Sequence, residues 1–265
     1  MSLECGLRGE ATTKVVGRSL PLSPFRKLVV DLMHFSQQVP AVVAERRMDL
    51  SRLLAARRAS ASRPSWTVLF TKAYSLVGRD YPQLRRSYLK FPWPHLYEHP
   101  HNVVALNVER RLTGEDIVLF CLIRSPENRS LEELDALVRQ HKQEPVEQLR
   151  SYQRAVGVSR IPWPLRRWFW WGALNVFGRR RCHNFGTFSV SSVASRGAGL
   201  LHLAPVLTSA LHYGLFDEQG RIEVRVSWDH RVMDGATIAR VLVDLEAVLN
   251  REIVRELTPS YRCAA

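Results

Sequence analysis

The stretch from Arg221 to Gly235 constrains the fold of this chain more than any other. Ile222, Val224, Val226 and Trp228 alternate with Glu223, Arg225 and Ser227. That is the period of a strand with one buried and one solvated face. After Asp229-His230-Arg231-Val232-Met233-Asp234-Gly235 the apolar spacing changes. Ile238, Val241, Leu242, Leu245, Val248 and Leu249 then mark one face of a helix expected over residues 236–250. A half-buried strand feeding an amphipathic helix needs a sheet covered by helices, so the chain is α/β.

The rest of the chain mixes the same two periods. Helices are expected over 24–38, 49–58 with Asp49 as cap, 66–77 ending at Gly78, and 130–143. In the last, Ser130 and Glu133 have the spacing of a capping box. Strands are expected over 41–48, over 103–108 and 117–123 around a Thr113-Gly114 turn, and over 187–193, with a further apolar segment at 202–213. No internal repeat interrupts this order. A lead at 1–19, one domain over 20–252 and a tail at 253–265 are expected. Residues 1–20 lack the apolar core of a secretory signal, and the longest apolar run, 168–177, is too short to span a bilayer.

Charge narrows the partners. The 38 basic and 25 acidic residues leave a net charge of +13, a field that favours anionic partners. Only Lys14, Lys27, Lys72, Lys90 and Lys142 are lysines; the other basic residues are arginines. Arg160, Arg166, Arg167, Arg179, Arg180 and Arg181 cluster in one stretch with no acid between them, and without these six the charge falls from +13 to +7. Cys5, Cys121, Cys182 and Cys263 form no closely spaced pair. The chain therefore reads as a cytoplasmic protein without a metal site or a disulfide framework.

The chemistry-bearing constellation is His230 with Asp234-Gly235. An imidazole at a strand end can act as general base on a thiol, hydroxyl or amine. A carboxylate at a helix start gains from the helix dipole, and Gly235 permits close backbone approach. The alternative is a histidine that only caps the strand.

Residues 229–236 (DHRVMDGA) closely resemble the catalytic signature of dihydrolipoamide acyltransferases, the core subunits of 2-oxo-acid dehydrogenase complexes. Chloramphenicol acetyltransferase shares the His-x-x-x-Asp-Gly core. Weaker similarities run in order along the chain. They include Leu22 to Lys27, Met48 to Leu50, Thr71 to Ala73, Tyr81 to Leu84, His101 to Val103 and Thr187 to Ser192. The resemblance implies a two-layer sandwich, a mixed central sheet with helices on one face, as in chloramphenicol acetyltransferase. It implies an acyltransferase moving an acyl group from an acyl-coenzyme A co-substrate to a thiol, hydroxyl or amine acceptor. His230 would be the general base and Ser191 the oxyanion donor. Asp234 would be an architectural carboxylate, with Arg26 as its candidate partner. It further implies a homotrimer with active sites between subunits, His from one chain and Ser from its neighbour. A catalytically silent scaffold or membrane-surface module of the same fold is the alternative.

Two departures bear on the substrate. Ser192-Val193-Ala194-Ser195 stands where the family strand continues into Asn-Leu-Gly. Residues 115–120 (EDIVLF) replace its Gly-Leu-Val-Val-Pro-Val strand. With 265 residues and no lipoyl domain, a stand-alone enzyme is expected rather than a complex core. A further difference is an insertion at 160–181, which holds Trp163, Trp168, Trp170 and Trp171 among its arginines. Three readings stay open for it: packing in the subunit or oligomer, contact with a membrane surface, or stacking on nucleic acid. Nucleic acid is not expected, because no recognition motif accompanies the charge. A peripheral membrane location and a lipid acceptor follow from the second reading.

Overall fold

A computed structural model describes residues 17–194, 197–198 and 206–258. Most of the expected lead, residues 202–205 of the expected apolar segment, Ser195 and the tail beyond residue 258 lie outside the described residues. The described chain runs α1 (Pro24–Ser36), β1 (Ala41–Asp49), α2 (Ser51–Ala59), α3 (Trp66–Asp80), β2 (Arg86–Leu89), β3 (His95–Glu98), β4 (Val103–Leu112) and β5 (Glu115–Arg124). It continues through α4 (Leu131–Gln143), α5 (Arg150–Ser159), α6 (Trp163–Asn175), α7 (Gly178–Phe185), β6 (Phe188–Ser191), β7 (Ser209–Phe216), β8 (Arg221–Asp229), α8 (Gly235–Val248) and α9 (Val254–Leu257).

Six strands form one mixed sheet in the order β1-β8-β7-β6-β4-β5. Strand β6 is parallel to both its neighbours, and the remaining pairs are antiparallel. Alternation sorts the two faces. Val104, Leu106, Phe188, Val190, Leu211 and Val226 point into the main core beneath α2, α3, α4 and α8. The opposite face carries Glu45, Asn107, Ser191, His212 and Arg225. The expected two-layer arrangement is therefore present. The β4–β5 hairpin closes at Thr113 and Gly114, whose φ values of 48° and 85° suit the two-residue turn that matches strand twist.

Local chemistry explains where elements begin and end. Ser23 caps α1, its hydroxyl accepting from Arg26 N–H. Asp49, expected as the cap of α2, instead ends β1; its carboxylate accepts from Ser51 N–H, but the N-cap position is Leu50. The Ser130–Glu133 capping box is formed on both sides. Gly78 does not end α3. It lies within the helix, where a Cβ would come within 2.8 Å of Asn102, so this glycine serves close packing. Strand β6 is shorter than expected, because the Ser192 hydroxyl accepts from Ala194 N–H and donates to Tyr213 O, curling the chain away. At the C-terminal end a single π-type turn, Leu249–Ile253, leads into α9. Ile253 and Leu257 are core residues, so packed structure runs five residues past the expected boundary at 252.

The insertion at 160–181 is helical, forming α6 and the first half of α7. It packs on α1 rather than on the main core. Phe35, Trp170 and Leu174 form a separate small cluster there. Beneath it the fully buried Asp31 of α1 meets Arg166 Nε, and Arg167 Nε lies 3.0 Å from its other oxygen.

Candidate active site

His230 follows the last residue of β8 and Asp234 precedes the first residue of α8. The loop between them is held at both ends. His230 N–H donates to Pro40 O at 3.1 Å, fixing the loop to the entry of β1. Asp234 O accepts from Thr237 N–H and Ile238 N–H, the first bonds of α8. Trp228 Nε1–H donates to Met233 O at 2.9 Å across the turn. Together these bonds satisfy backbone groups that a helix start and a strand end would otherwise leave open.

The firmest restraint is the pair flanking the histidine. Asp229 is buried, and its carboxylate accepts from Arg231 N–H at 3.0 Å and from the guanidinium at 2.8 and 2.7 Å. The same guanidinium lies 4.3 Å from the Tyr88 ring centroid. A fork-like pair of charge-assisted bonds fixes direction as well as distance. Asp229 and Arg231 thereby pin the backbone on either side of His230. Asp229→Asn keeps the shape and loses the charge. It is expected to lower stability by about 2 kcal/mol, measured as a shift of the denaturant midpoint; an unchanged midpoint would show that the pair does not hold the loop.

The imidazole itself is open, with 46% of its side chain exposed. Its Nδ1 lies 3.9 Å from Asp234 Oδ1, too far for a hydrogen bond. Asp234 is 86% exposed and sits at the positive end of α8. Arg26 does not reach it. Arg26 pairs with Glu115 at 3.8 Å, and Glu115 also accepts from the Ser23 hydroxyl, so this arginine ties α1 to the start of β5. Among the described residues no arginine forms an ion pair with Asp234. Gly235 also differs from expectation. A Cβ there would meet Trp228 only at 3.9 Å, an ordinary contact, so no close backbone approach requires glycine.

Ser191 lies elsewhere. It pairs with His212 of β7, which in turn lies opposite Arg225 of β8. His230 is five residues further along the β8 direction, about 17 Å away at strand spacing. The chain thus places His230 and Ser191 at opposite ends of the sheet and does not bring them together. Ser191 ends β6 on the polar face, half-exposed. Gly186, at φ 101°, lets the chain enter β6 against β4, where a Cβ would come within 2.9 Å of Val103 O.

One neighbour of Ser191 was not singled out in the sequence. His212 is fully buried, and its Nδ1 donates to Ser191 O at 3.0 Å. Burial pushes its pKa down, partly offset by the Ser191 carbonyl, with Arg225 adding to the depression. A neutral ring with its proton on Nδ1 is the form that fits. The signal was a lone histidine in an otherwise apolar strand, on the parity of Ser191 once the register is known. Cys121 and Cys182 are poor nucleophiles: burial pushes the Cys121 thiol up to about 11 and raises Cys182 as well. Among the described residues no three His, Cys, Asp or Glu side chains gather as metal ligands would.

No family model and no curated protein matches the chain. Solved structures do. A probable dihydrolipoamide acetyltransferase from Listeria monocytogenes 4b F2365 superposes with a TM-score of 0.63 at 16% identity, over 89% of this chain and 95% of that one. The cubic core of the pyruvate dehydrogenase multienzyme complex gives 0.66 at 16% identity, over 95% and 98%. The dihydrolipoamide acetyltransferase of Azotobacter vinelandii gives 0.63 at 17% identity, over 95% and 98%. The chain has the fold of the catalytic cores of dihydrolipoamide acetyltransferases.

Proposed function

We propose that the protein is an acyltransferase that moves an acyl group from an acyl-coenzyme A thioester to a thiol, hydroxyl or amine acceptor. The observation that carries this reading is His230: a half-open imidazole at a strand end, its backbone pinned on both sides by the Asp229–Arg231 pair. His230 takes the acceptor's proton as the nucleophile attacks the thioester carbonyl. The carbonyl oxygen gains charge, and the Ser191 hydroxyl donates to it. When the C–S bond breaks, coenzyme A leaves as a thiolate and regains the proton from the imidazolium. No covalent enzyme intermediate is needed, in keeping with the raised pKa of the buried thiols. In the Azotobacter enzyme the residues investigated for a role in the catalytic mechanism are a serine, a histidine and an asparagine. The last two are four positions apart, as are His230 and Asp234.

The distance between His230 and Ser191 supports a homotrimer in which one subunit supplies the base and its neighbour the oxyanion donor. In this reading the acceptor is a small molecule or a lipid, and the insertion at 160–181 is free to meet a membrane surface.

Subunit mixing tests the shared site. His230→Ala and Ser191→Ala are each expected to be nearly inactive in release of free thiol from acyl-coenzyme A. Unfolded together and reassembled, they are expected to regain about a quarter of the wild-type sites, one half times one half, because some interfaces then pair an intact histidine with an intact serine. No regain from a properly assembled mixture would sink the shared site. Activity absent from the unaltered chain over a panel of donors and acceptors would favour a silent scaffold.

A further inference from the structure

Helix α6 is built inside out. Its buried face carries Arg166 and Asn175 beside Trp170 and Leu174. Its outer face carries Leu165, Trp168 and Phe169, at the i, i+3, i+4 spacing of an apolar stripe. They are 61%, 73% and 48% exposed. A helix of a water-soluble domain ordinarily turns such a stripe inward. Here the Asp31–Arg166 pair shares the inside with Trp170 and Leu174, and Trp168 and Phe169 face solvent.

The stripe does not stand alone. Phe91 N–H donates to Asn175 O at 3.1 Å, joining the connection between β2 and β3 to the end of α6. That connection exposes Phe91 and Trp93, and Phe177 is exposed where α6 meets α7. Arg160, Arg179, Arg180 and Lys90 are exposed among these elements. No acid occurs in the sequence between Glu147 and Asp217. Aromatic side chains beside arginines, on a helix that crosses nothing, have the composition of a membrane-interface element.

We propose that this composite face docks on an anionic lipid bilayer. Trp168, Phe169 and Leu165 enter the headgroup region and Arg179 and Arg180 meet lipid phosphates. Charge selects this occupant over a second copy of the chain. A second copy docked through the same face would set arginine against arginine, since no acid lies between Glu147 and Asp217, whereas anionic lipids present a continuous layer of negative charge. Tyr88 of β2 touches Arg231, and Lys90 Nζ lies 3.3 Å from Gln38 Oε1. Docking would therefore bring the His230 loop close to the bilayer. The proposal extends the membrane contact of residues 160–181 to a three-element surface and does not depend on acyl transfer.

The full chain is tested by flotation with vesicles of phosphatidylcholine alone and vesicles containing phosphatidylglycerol. Binding is expected only to the anionic vesicles, weakening as salt rises. Arg179→Glu with Arg180→Glu is expected to lower the partition coefficient by at least about 25-fold, since each basic residue contributes about fivefold. Leu165→Ser/Trp168→Ser/Phe169→Ser is expected to abolish flotation with an unchanged thermal midpoint, because these side chains are exposed. No flotation of the unaltered chain, or flotation of either variant equal to that of the unaltered chain, would overturn the proposal. So would loss of the oligomer's mass in the serine variant, which would make the face a contact between copies. Thiol release measured without vesicles reads the chemistry separately, so docking and catalysis can fail independently.

Discussion

Replacing His230 with alanine is expected to lower acyl-coenzyme A-dependent turnover by at least about 100-fold, the usual scale for losing a general base, with the thermal midpoint unchanged. Two features of the loop separate the chemical effect from a structural one. The bond from His230 to Pro40 O uses the backbone N–H, which alanine retains. The imidazole is half-exposed and 3.9 Å from its nearest carboxylate, so truncation leaves no buried partner unpaired. Asp234→Asn is the control. Its carboxylate is almost wholly exposed, and an exposed pair contributes at most about 1 kcal/mol, so turnover is expected to change by less than about fivefold. Turnover is read as thiol release, with circular dichroism on the same samples. Unchanged turnover in His230→Ala would remove the residue from the mechanism. A large loss in Asp234→Asn would give the carboxylate a direct part in it.

The elements that local chemistry dictates were legible in the sequence. The alternation over Arg221–Asp229, the Ser130–Glu133 capping box and the Thr113–Gly114 turn each specify their own geometry, and each is present. What was not legible depends on partners distant in sequence. Gly78 reads as a helix end until Asn102 is seen against it. Arg26 and Asp234 are charges of opposite sign in matching motifs, but Glu115 is the acid that the β5 edge brings to Arg26. His230 and Asp229 were identifiable from a contiguous motif. His212 was not, because its proximity to Ser191 exists only in the parallel register of β6 and β7. The insertion was readable as aromatic and basic, but which side faced inward was not. That orientation is set by Asp31, more than a hundred residues away in sequence.

Asp31→Ala is therefore expected to destabilise the protein by about 3–5 kcal/mol, the cost of leaving a buried ion without its partner. Asp31 is fully buried and Arg166 nearly so, and Arg166 gains one further bond, Nη1–H to Ile161 O at 3.1 Å. Arg167 cannot compensate. It lies 3.0 Å from Asp31 without the alignment of a hydrogen bond, and it loses the same partner. For a chain of this size the loss corresponds to roughly 10 °C in the thermal midpoint. Replacing both ions, Asp31→Leu with Arg166→Leu, removes the uncompensated charge together with its desolvation cost and is expected to restore most of that loss. If Asp31→Ala alone keeps the wild-type midpoint, water reaches the pair and α6 is held by Phe35, Trp170 and Leu174 instead. The consequence extends beyond stability. Helix α1 leads through Pro40 into β1, and Pro40 O is the acceptor for His230 N–H. A loosened α6 should then lower turnover through the position of the His230 loop. The paired leucine variant, with α6 seated again, should recover activity along with the midpoint.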